Sequence, residues 1–355
     1  MALAMEPALS VANMASGSLL LEMDDAELKA LWTSPGGGLR ALSSRLTVAT
    51  GCPRFRQRLF AEGDLVADES VLLSPCSLQL VLLPLCTTTS KQREEVGKAI
   101  LLQKAEVVEE LLRLCHDPNM LVPHGRSALH ALTVAAINGN CDCLRLLLEA
   151  EADVDVSKAS GLTALQWAAR KGHVEASQLL VSAMADVDKA DGTPTALQLA
   201  AKCGHVDIVA SLLQVRANPD KKAWGGAQGA STALQQASEN GHLQIVRLLV
   251  DAGADKEAAG PVESGMTPLL WACYWGHLDI CRLLVEARAA LNSSDEKGIT
   301  PLLHASGRGY MEIARLLVEA GAEVPEVPAT AREVEADPVA PLSVTVSSPA
   351  RRADV

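Results

Sequence analysis

Histidine and cysteine are the side chains of this 355-residue sequence best suited to hold a metal or attack a substrate, and it has eight of the first and nine of the second. Four histidines follow a glycine, in Gly172-His173, Gly204-His205, Gly241-His242 and Gly276-His277. A metal site needs its ligands gathered around one ion. These histidines recur one equivalent turn after another, so a structural place in each turn is expected. Cys141 and Cys143 flank Asp142, but no His-x-x-x-His or second close cysteine pair accompanies them, and zinc is not expected. No two cysteines form Cys-x-x-Cys, and an odd number in a long chain is expected to stay reduced. Gly225-Gly226-Ala227-Gln228-Gly229 suggests a phosphate loop, yet it lacks the closing Gly-Lys-Ser or Gly-Lys-Thr and precedes no strand-to-helix unit. An enlarged hairpin tip is the better expectation. Neither a Gly-x-Ser-x-Gly elbow nor the kinase signature set occurs. No catalytic, cofactor-binding or metal-binding residue is assigned, and the expected protein is not an enzyme.

The elements that position these residues repeat. The turns Gly139-Asn140, Gly172-His173, Gly204-His205, Gly241-His242, Gly276-His277 and Gly309-Tyr310 follow one another at steps of 33, 32, 37, 35 and 33 residues. Before them stand Thr163-Ala-Leu-Gln-Trp-Ala-Ala169, Thr195-Ala-Leu-Gln-Leu-Ala-Ala201, Thr232-Ala-Leu-Gln-Gln-Ala-Ser238, Thr267-Pro-Leu-Leu-Trp-Ala-Cys273 and Thr300-Pro-Leu-Leu-His-Ala-Ser306. After each comes an apolar pattern at helical spacing, as in Ile245, Val246, Leu248, Leu249 and Val250. The threonine hydroxyls suit helix N-caps, and the glycines suit the left-handed residue that ends a helix.

This period, the Thr-Pro-Leu openings and endings such as Ala252-Gly253-Ala254-Asp255 resemble the ankyrin repeat. Five repeats start near Gly161, Thr193, Ala230, Gly265 and Gly298. An irregular one spans about Gly125 to Asp155, where the register opening at His130 is preferred to that opening at Ser127. Val107, Val108, Leu111, Leu112 and Leu114 resemble the second helix of a truncated capping repeat. The family's usual fourth opening residue, histidine, is here Gln166, Gln198, Gln235, Leu270 and Leu303, so the familiar inter-repeat histidine bonds are expected to be altered or absent.

The resemblance implies a concave groove lined by the hairpin tips and by the residue pairs before each turn. Here these include Arg170-Lys171, Lys202-Cys203, Glu239-Asn240, Tyr274-Trp275 and Gly307-Arg308. The candidate partner-binding residues are Arg170, Lys171, Lys202, Trp224, Glu239, Asn240, Tyr274, Trp275 and Arg308. A partner segment with acidic residues followed by an apolar anchor would match the cationic stretch and the Tyr-Trp pair. The alternative is that Trp224 and Trp275 only cover the neighbouring repeat. Trp167 and Trp271 are expected to be packing residues.

The first ninety residues differ. Leu19 to Met23, Leu28 to Trp32, Arg56 to Phe60 and Leu78 to Leu83 are strand candidates, with a helix ending at Gly51. Gly51-Cys-Pro-Arg-Phe-Arg-Gln-Arg-Leu-Phe-Ala61 with Ser77-Leu-Gln-Leu-Val-Leu-Leu83 resembles ubiquitin-like β-grasp domains. That resemblance places Phe60, flanked by Arg58 and Leu59, where such folds are read by ubiquitin receptors or the proteasome. The competing place for Phe60 is the domain core, and the competing fold is an unrelated small α+β domain. Pro84-Leu85-Cys86-Thr87 replaces the family's free Gly-Gly tail, so covalent attachment is not expected.

The expected architecture is mainly α: an ankyrin-repeat solenoid of about six repeats plus a partial N-terminal capping repeat, preceded by a small α+β ubiquitin-like domain. Residues 1–16 and the proline-interrupted tail 325–355 are expected to be disordered, 17–86 to be the β-grasp domain, 87–124 a linker and partial repeat, and 125–324 the repeats. Lys and Arg number 31 against 43 Asp and Glu, a net charge of −12 that makes nucleic acid a poor partner. Val71 to Leu85 is too short and too interrupted for a membrane span. Met1 to Ser18 carries no Lys or Arg, so no secretory or transit signal is expected. The expectation is a monomeric adaptor of cytoplasm or nucleus, with no cofactor.

Overall fold

In a computed structural model of the chain, the described residues are 9–13, 18–23, 27, 30, 38–50, 52–61, 64–66, 76–125, 127–157, 161–224, 230–260 and 265–324. Among the described residues, five short strands build the N-terminal layer: β1 (Leu9–Asn13), β2 (Leu19–Met23), β3 (Gln57–Ala61), β4 (Asp64–Leu65) and β5 (Cys76–Leu82). They form one sheet in the order β2-β1-β5-β3-β4. β1 runs antiparallel to β2 and parallel to β5, and β3 runs antiparallel to β4 and β5. Side chains alternate across a strand and recur every fourth residue along a helix. Leu42 and Leu46 of α1 (Gly38–Thr50) therefore share a stripe, and they pack on Val11, Met23, Leu59, Leu78 and Leu80.

Two expectations are corrected here. Residues 1–16 are not unstructured throughout, because β1 pairs with strands on both sides and buries Val11 completely. Its neighbours Ser10, Ala12 and Asn13 are small or polar, and the backbone ladder supplies what their side chains do not signal. Leu28 to Trp32 does not form a strand throughout: Ala30 is helical, and the rest of that segment lies outside the described residues. The expected disorder of 325–355 also lies outside them.

The repeats are seven helix pairs: α2 (Ser90–Leu101) with α3 (Ala105–Arg113), α4 (Ala131–Asn138) with α5 (Cys141–Glu149), α6 (Ala164–Lys171) with α7 (Val174–Ser182), α8 (Ala196–Cys203) with α9 (Val206–Gln214), α10 (Ala233–Glu239) with α11 (Leu243–Asp251), α12 (Pro268–Trp275) with α13 (Leu278–Glu286), and α14 (Pro301–Gly307) with α15 (Met311–Glu319). The first pair is complete, which corrects the truncated capping repeat. Its opening helix runs Ser-Lys-Gln-Arg-Glu-Glu and so carries no Thr-Ala-Leu signal, but Thr89 and Gln92 form a capping box and Val96, Ala99 and Ile100 are buried. The register opening at His130 holds: His130 caps α4, while Ser127–His130 is a strand, β7, paired with β6 (Leu121–His124). Among the described residues no helix is long and apolar enough to cross a membrane.

One core runs from Val96 to Ala322 through all seven pairs. The first helices pack more closely on one another than the second helices do, so the stack curves with the first helices inside. Buried alanines such as Ala164, Ala168, Ala196 and Ala200 allow that approach. Leu248, one of the apolar residues at helical spacing, is half-buried, whereas Leu249 beside it is fully buried.

The glutamines replace the histidine bonds and do so in a different way. Gln198 accepts from the Thr195 amide at 2.9 Å and donates to the carbonyls of Lys221 at 2.7 Å and Ser231 at 2.6 Å. Gln166 and Gln235 repeat the pattern, so one buried amide both closes a capping box and ties the following loop. Leu270 and Leu303 forgo it, and their own helices start on Pro268 and Pro301 instead.

The second helices end on a left-handed residue, which is Gly253 and Gly321 in two repeats but Cys115, Glu151, Met184, Arg216 and Arg288 in five. A side chain in that conformation costs roughly 1 to 2 kcal/mol. Met184 is 87% exposed and gives up no packing if removed. Met184→Gly is therefore expected to stabilise the chain by about 1 kcal/mol, raising the melting temperature by roughly 2 to 4 °C. A melting temperature that stays put or falls in calorimetry would contradict this.

The sheet domain and the stack share a seam. Phe55, in a short 3-10 turn (Arg54–Arg56), is 4% exposed and belongs to the core of the repeats. Arg54 lies over the Phe55 ring at 4.1 Å, bonds Glu149 at 2.7 Å and pairs with Glu109 at 3.5 Å. Arg58 donates to the Arg113 carbonyl, and the Cys86 amide donates to that of Cys115 at 2.7 Å.

Candidate partner-binding groove

Each inner helix delivers its last residues to the same edge of the stack. Arg170 and Lys171 end α6, Lys202 lies in the last turn of α8, Glu239 ends α10 with Asn240 as its cap, Tyr274 and Trp275 end α12, and Arg308 caps α14. The histidines of the turns hold this edge in place. His173 bonds the carbonyl of Ile137 at 3.0 Å, His205 that of Arg170 at 3.2 Å, His242 that of Lys202 at 3.1 Å and His277 that of Glu239 at 3.3 Å. A carbonyl only accepts, so each ring carries its proton on Nε2. The histidines thus act as inter-repeat fasteners, one repeat reaching back to the groove residues of the one before. Glycine is required opposite them: Gly172 has φ +82°, and a Cβ there would stand 2.6 Å from His205.

Asp and Asn side chains lock the loop edge in the same way. Asp155 accepts from the Asp186 amide, Asp188 from that of Asn218 and Asp220 from that of Asp255, at 2.8 to 3.1 Å for the nearer oxygen. The groove residues therefore stand on a frame fastened at both edges.

Two aromatic clusters line it. In the first, Arg170 lies over the Trp167 ring at 5.3 Å. In the second, Tyr274 meets Trp271, Trp275 and His304 edge to face, with centroids at 6.1, 5.2 and 5.5 Å. The Arg308 guanidinium lies 3.5 Å from the Tyr274 centroid. Trp275 is 40% exposed. Trp167 and Trp271, expected to be packing residues, are half-buried and belong to these clusters. His304 and Asp295 were not singled out from the sequence. They form a buried pair at 3.0 Å, and Asp295 also accepts from the amides of Lys297 and Ile299. The only sequence signal was that His304 takes the opening position held by Trp271 one repeat earlier.

Burial lowers the pKa of His304 below its ordinary 6.5, outweighing the bond to Asp295 that favours the charged ring. The folded state then binds fewer protons than the unfolded one, so stability present above about pH 6.5 is lost as pH falls through the folded value. The melting temperature is expected to fall more steeply between about pH 7 and pH 5 for the native chain than for His304→Gln, whose amide keeps a donor for Asp295. Parallel falls would show that His304 is not responsible.

Two candidates stand apart from the groove row. Trp224 lies in a short strand, β8 (Ala223–Trp224), paired with β9 (Ala230–Ser231); its side chain and Gly225 to Gly229 lie outside the described residues. Phe60 lies on β3 in the N-terminal sheet. It is half-buried, whereas its neighbour Leu59 joins the domain core, so the core place for Phe60 is corrected. The thiols Cys141 and Cys143 are one half-buried and one buried, and burial raises the pKa of both, Cys143 to about 11. These are poor nucleophiles.

The family model of ankyrin repeats matches three times, over residues 97–191, 188–260 and 234–327. A comparison with curated proteins finds no match. Among solved structures, an ankyrin repeat domain from Acinetobacter baumannii AYE is 34% identical over 54% of this chain and 98% of that one, with a TM-score of 0.48. The three matches join into one run over more than half of the sequence, and it contains every inner helix of the groove except the start of the first: the chain belongs to the ankyrin-repeat family.

Proposed function

We propose that the chain is a non-catalytic adaptor. Its ankyrin groove holds a protein partner, and its N-terminal domain, taken as ubiquitin-like, docks to ubiquitin or proteasome machinery in cytoplasm or nucleus. The observation that carries the groove assignment is the row of unlike exposed side chains, from Arg170 and Lys171 through Lys202 to Trp275 and Arg308, on a fastened frame. Such a frame spends little entropy on binding, and exposed aromatic and arginine residues dominate interface energetics. Support for the ubiquitin-like assignment is the helix laid on a mixed sheet whose strands β1 and β5 pair in parallel at its centre. Phe60 is half-buried and alternates along β3 with Leu59, which joins the core under the helix.

A general scaffold with no link to the ubiquitin system is the second reading. The seam favours it, because Phe55, Arg54 and Arg58 use the domain to cover the end of the stack. Capture from cell extract with the full chain, Phe60→Ala and the double variant Tyr274→Ala, Trp275→Ala separates the two. The adaptor requires ubiquitin receptors or proteasome subunits that Phe60→Ala loses and the double variant keeps. Their absence from every bait leaves the scaffold.

A further inference from the structure

We propose that Arg308 is a carboxylate-binding residue, and that the groove segment it takes carries Asp or Glu beside an aromatic or leucine side chain that lies on Trp275. The proposal rests on the groove assignment and names the chemistry of its C-terminal end. Three observations converge on it.

Arg308 is exposed yet positioned. Its guanidinium carbon lies 3.5 Å from the Tyr274 centroid, a face contact that uses none of its five N–H donors. Stacking therefore fixes the fork before a ligand arrives, which limits the entropy lost when a carboxylate is bound through two parallel bonds. The acid of the neighbourhood is already committed: Asp295 is held by His304 at 3.0 Å and by two backbone amides. Among the described residues no carboxylate forms an ion pair with Arg308.

The apolar place is adjacent. Trp275 is 40% exposed and meets the same Tyr274 ring at 5.2 Å, so cation and indole share one aromatic support. The surrounding charge selects the sign of the partner. In a chain of net charge −12, the groove-edge positions Arg170, Lys171, Lys202 and Arg308 are cationic, against Glu239 alone as an acid. An acidic partner meets a local cationic row and a bulk surface that repels its other docking modes.

The test uses the full chain. A random-peptide display library is selected on it, and binders lost on Tyr274→Ala, Trp275→Ala are kept. They are expected to share Asp or Glu beside Phe, Tyr, Trp or Leu. A synthetic peptide and its Asp→Asn or Glu→Gln analogue should differ by about tenfold on the native chain and bind Arg308→Gln equally. Arg308→Lys, which keeps the charge without the fork, should recover only part of the difference. Groove-dependent binders without an acid, or an acid effect that survives Arg308→Gln, would overturn the carboxylate site and leave the groove standing. No groove-dependent binder at all would overturn both. Tight binding of a synthetic peptide of residues 325–355 would assign the place to this chain's own sequence and overturn a separate partner.

Discussion

Replacing Tyr274 and Trp275 together by alanine should weaken binding of the groove partner by at least about 2 kcal/mol, roughly thirty-fold in Kd, with the stack still folded. The effect has two sources. Trp275 offers its exposed indole directly, and Tyr274 holds Arg308, Trp271 and Trp275 in their mutual arrangement. Losing both removes an anchor and releases a cation that was fixed before binding. The fold survives because the helix keeps its core side: Pro268, Leu269, Leu270, Ala272 and Cys273 are the buried residues of α12, and neither Tyr274 nor Trp275 is among them. Titration calorimetry against a captured partner, with a parallel thermal melt, checks both parts. Unchanged affinity would remove the aromatic cluster from the binding site. A collapsed melt would show that the two rings serve the fold.

Leu249→Ala should lower the stability of the chain by roughly 2 to 5 kcal/mol, as expected for a buried leucine whose cavity cannot close. Leu249 is fully buried in α11, in a single core continuous from the first helix pair to the last. Neighbouring pairs are the source of each pair's stability, so a defect in the middle of the stack weakens the interfaces on both sides. Leu248→Ala, one residue earlier and only half-buried, should cost clearly less. Denaturant unfolding of the two variants side by side decides it. Equal losses would mean that the faces of α11 are misassigned.

The repeats were legible because their signals are local. A threonine that caps a helix, a glycine that ends it and an apolar residue every third or fourth place act within a few residues of themselves. Thr163, Thr195 and Thr232 do cap their helices, and Gly172, Gly204 and Gly276 do take the left-handed conformation. The histidines were likewise readable as structural, since ligands one repeat apart do not gather. The groove row of Arg170, Lys171, Lys202, Glu239, Asn240, Tyr274, Trp275 and Arg308 also came from periodicity, because equivalent positions in a stack share an edge.

What failed lay where a residue's role depends on a distant partner. β1 was missed because strands on both sides hold it, although Val11 is the one buried side chain among those described in it. α2 was missed because its buried residues are few and its sequence is charged. The Arg54 to Glu149 contact joins residues 95 positions apart, and no pattern in either segment announces it. Composition, period and caps thus sufficed for the ankyrin-repeat stack, since short-range geometry dictates it. Only the tertiary structure decided that the N-terminal domain seals the end of the stack and that Arg308 rests on Tyr274. Each of those contacts is selected by packing between elements, which local sequence does not encode.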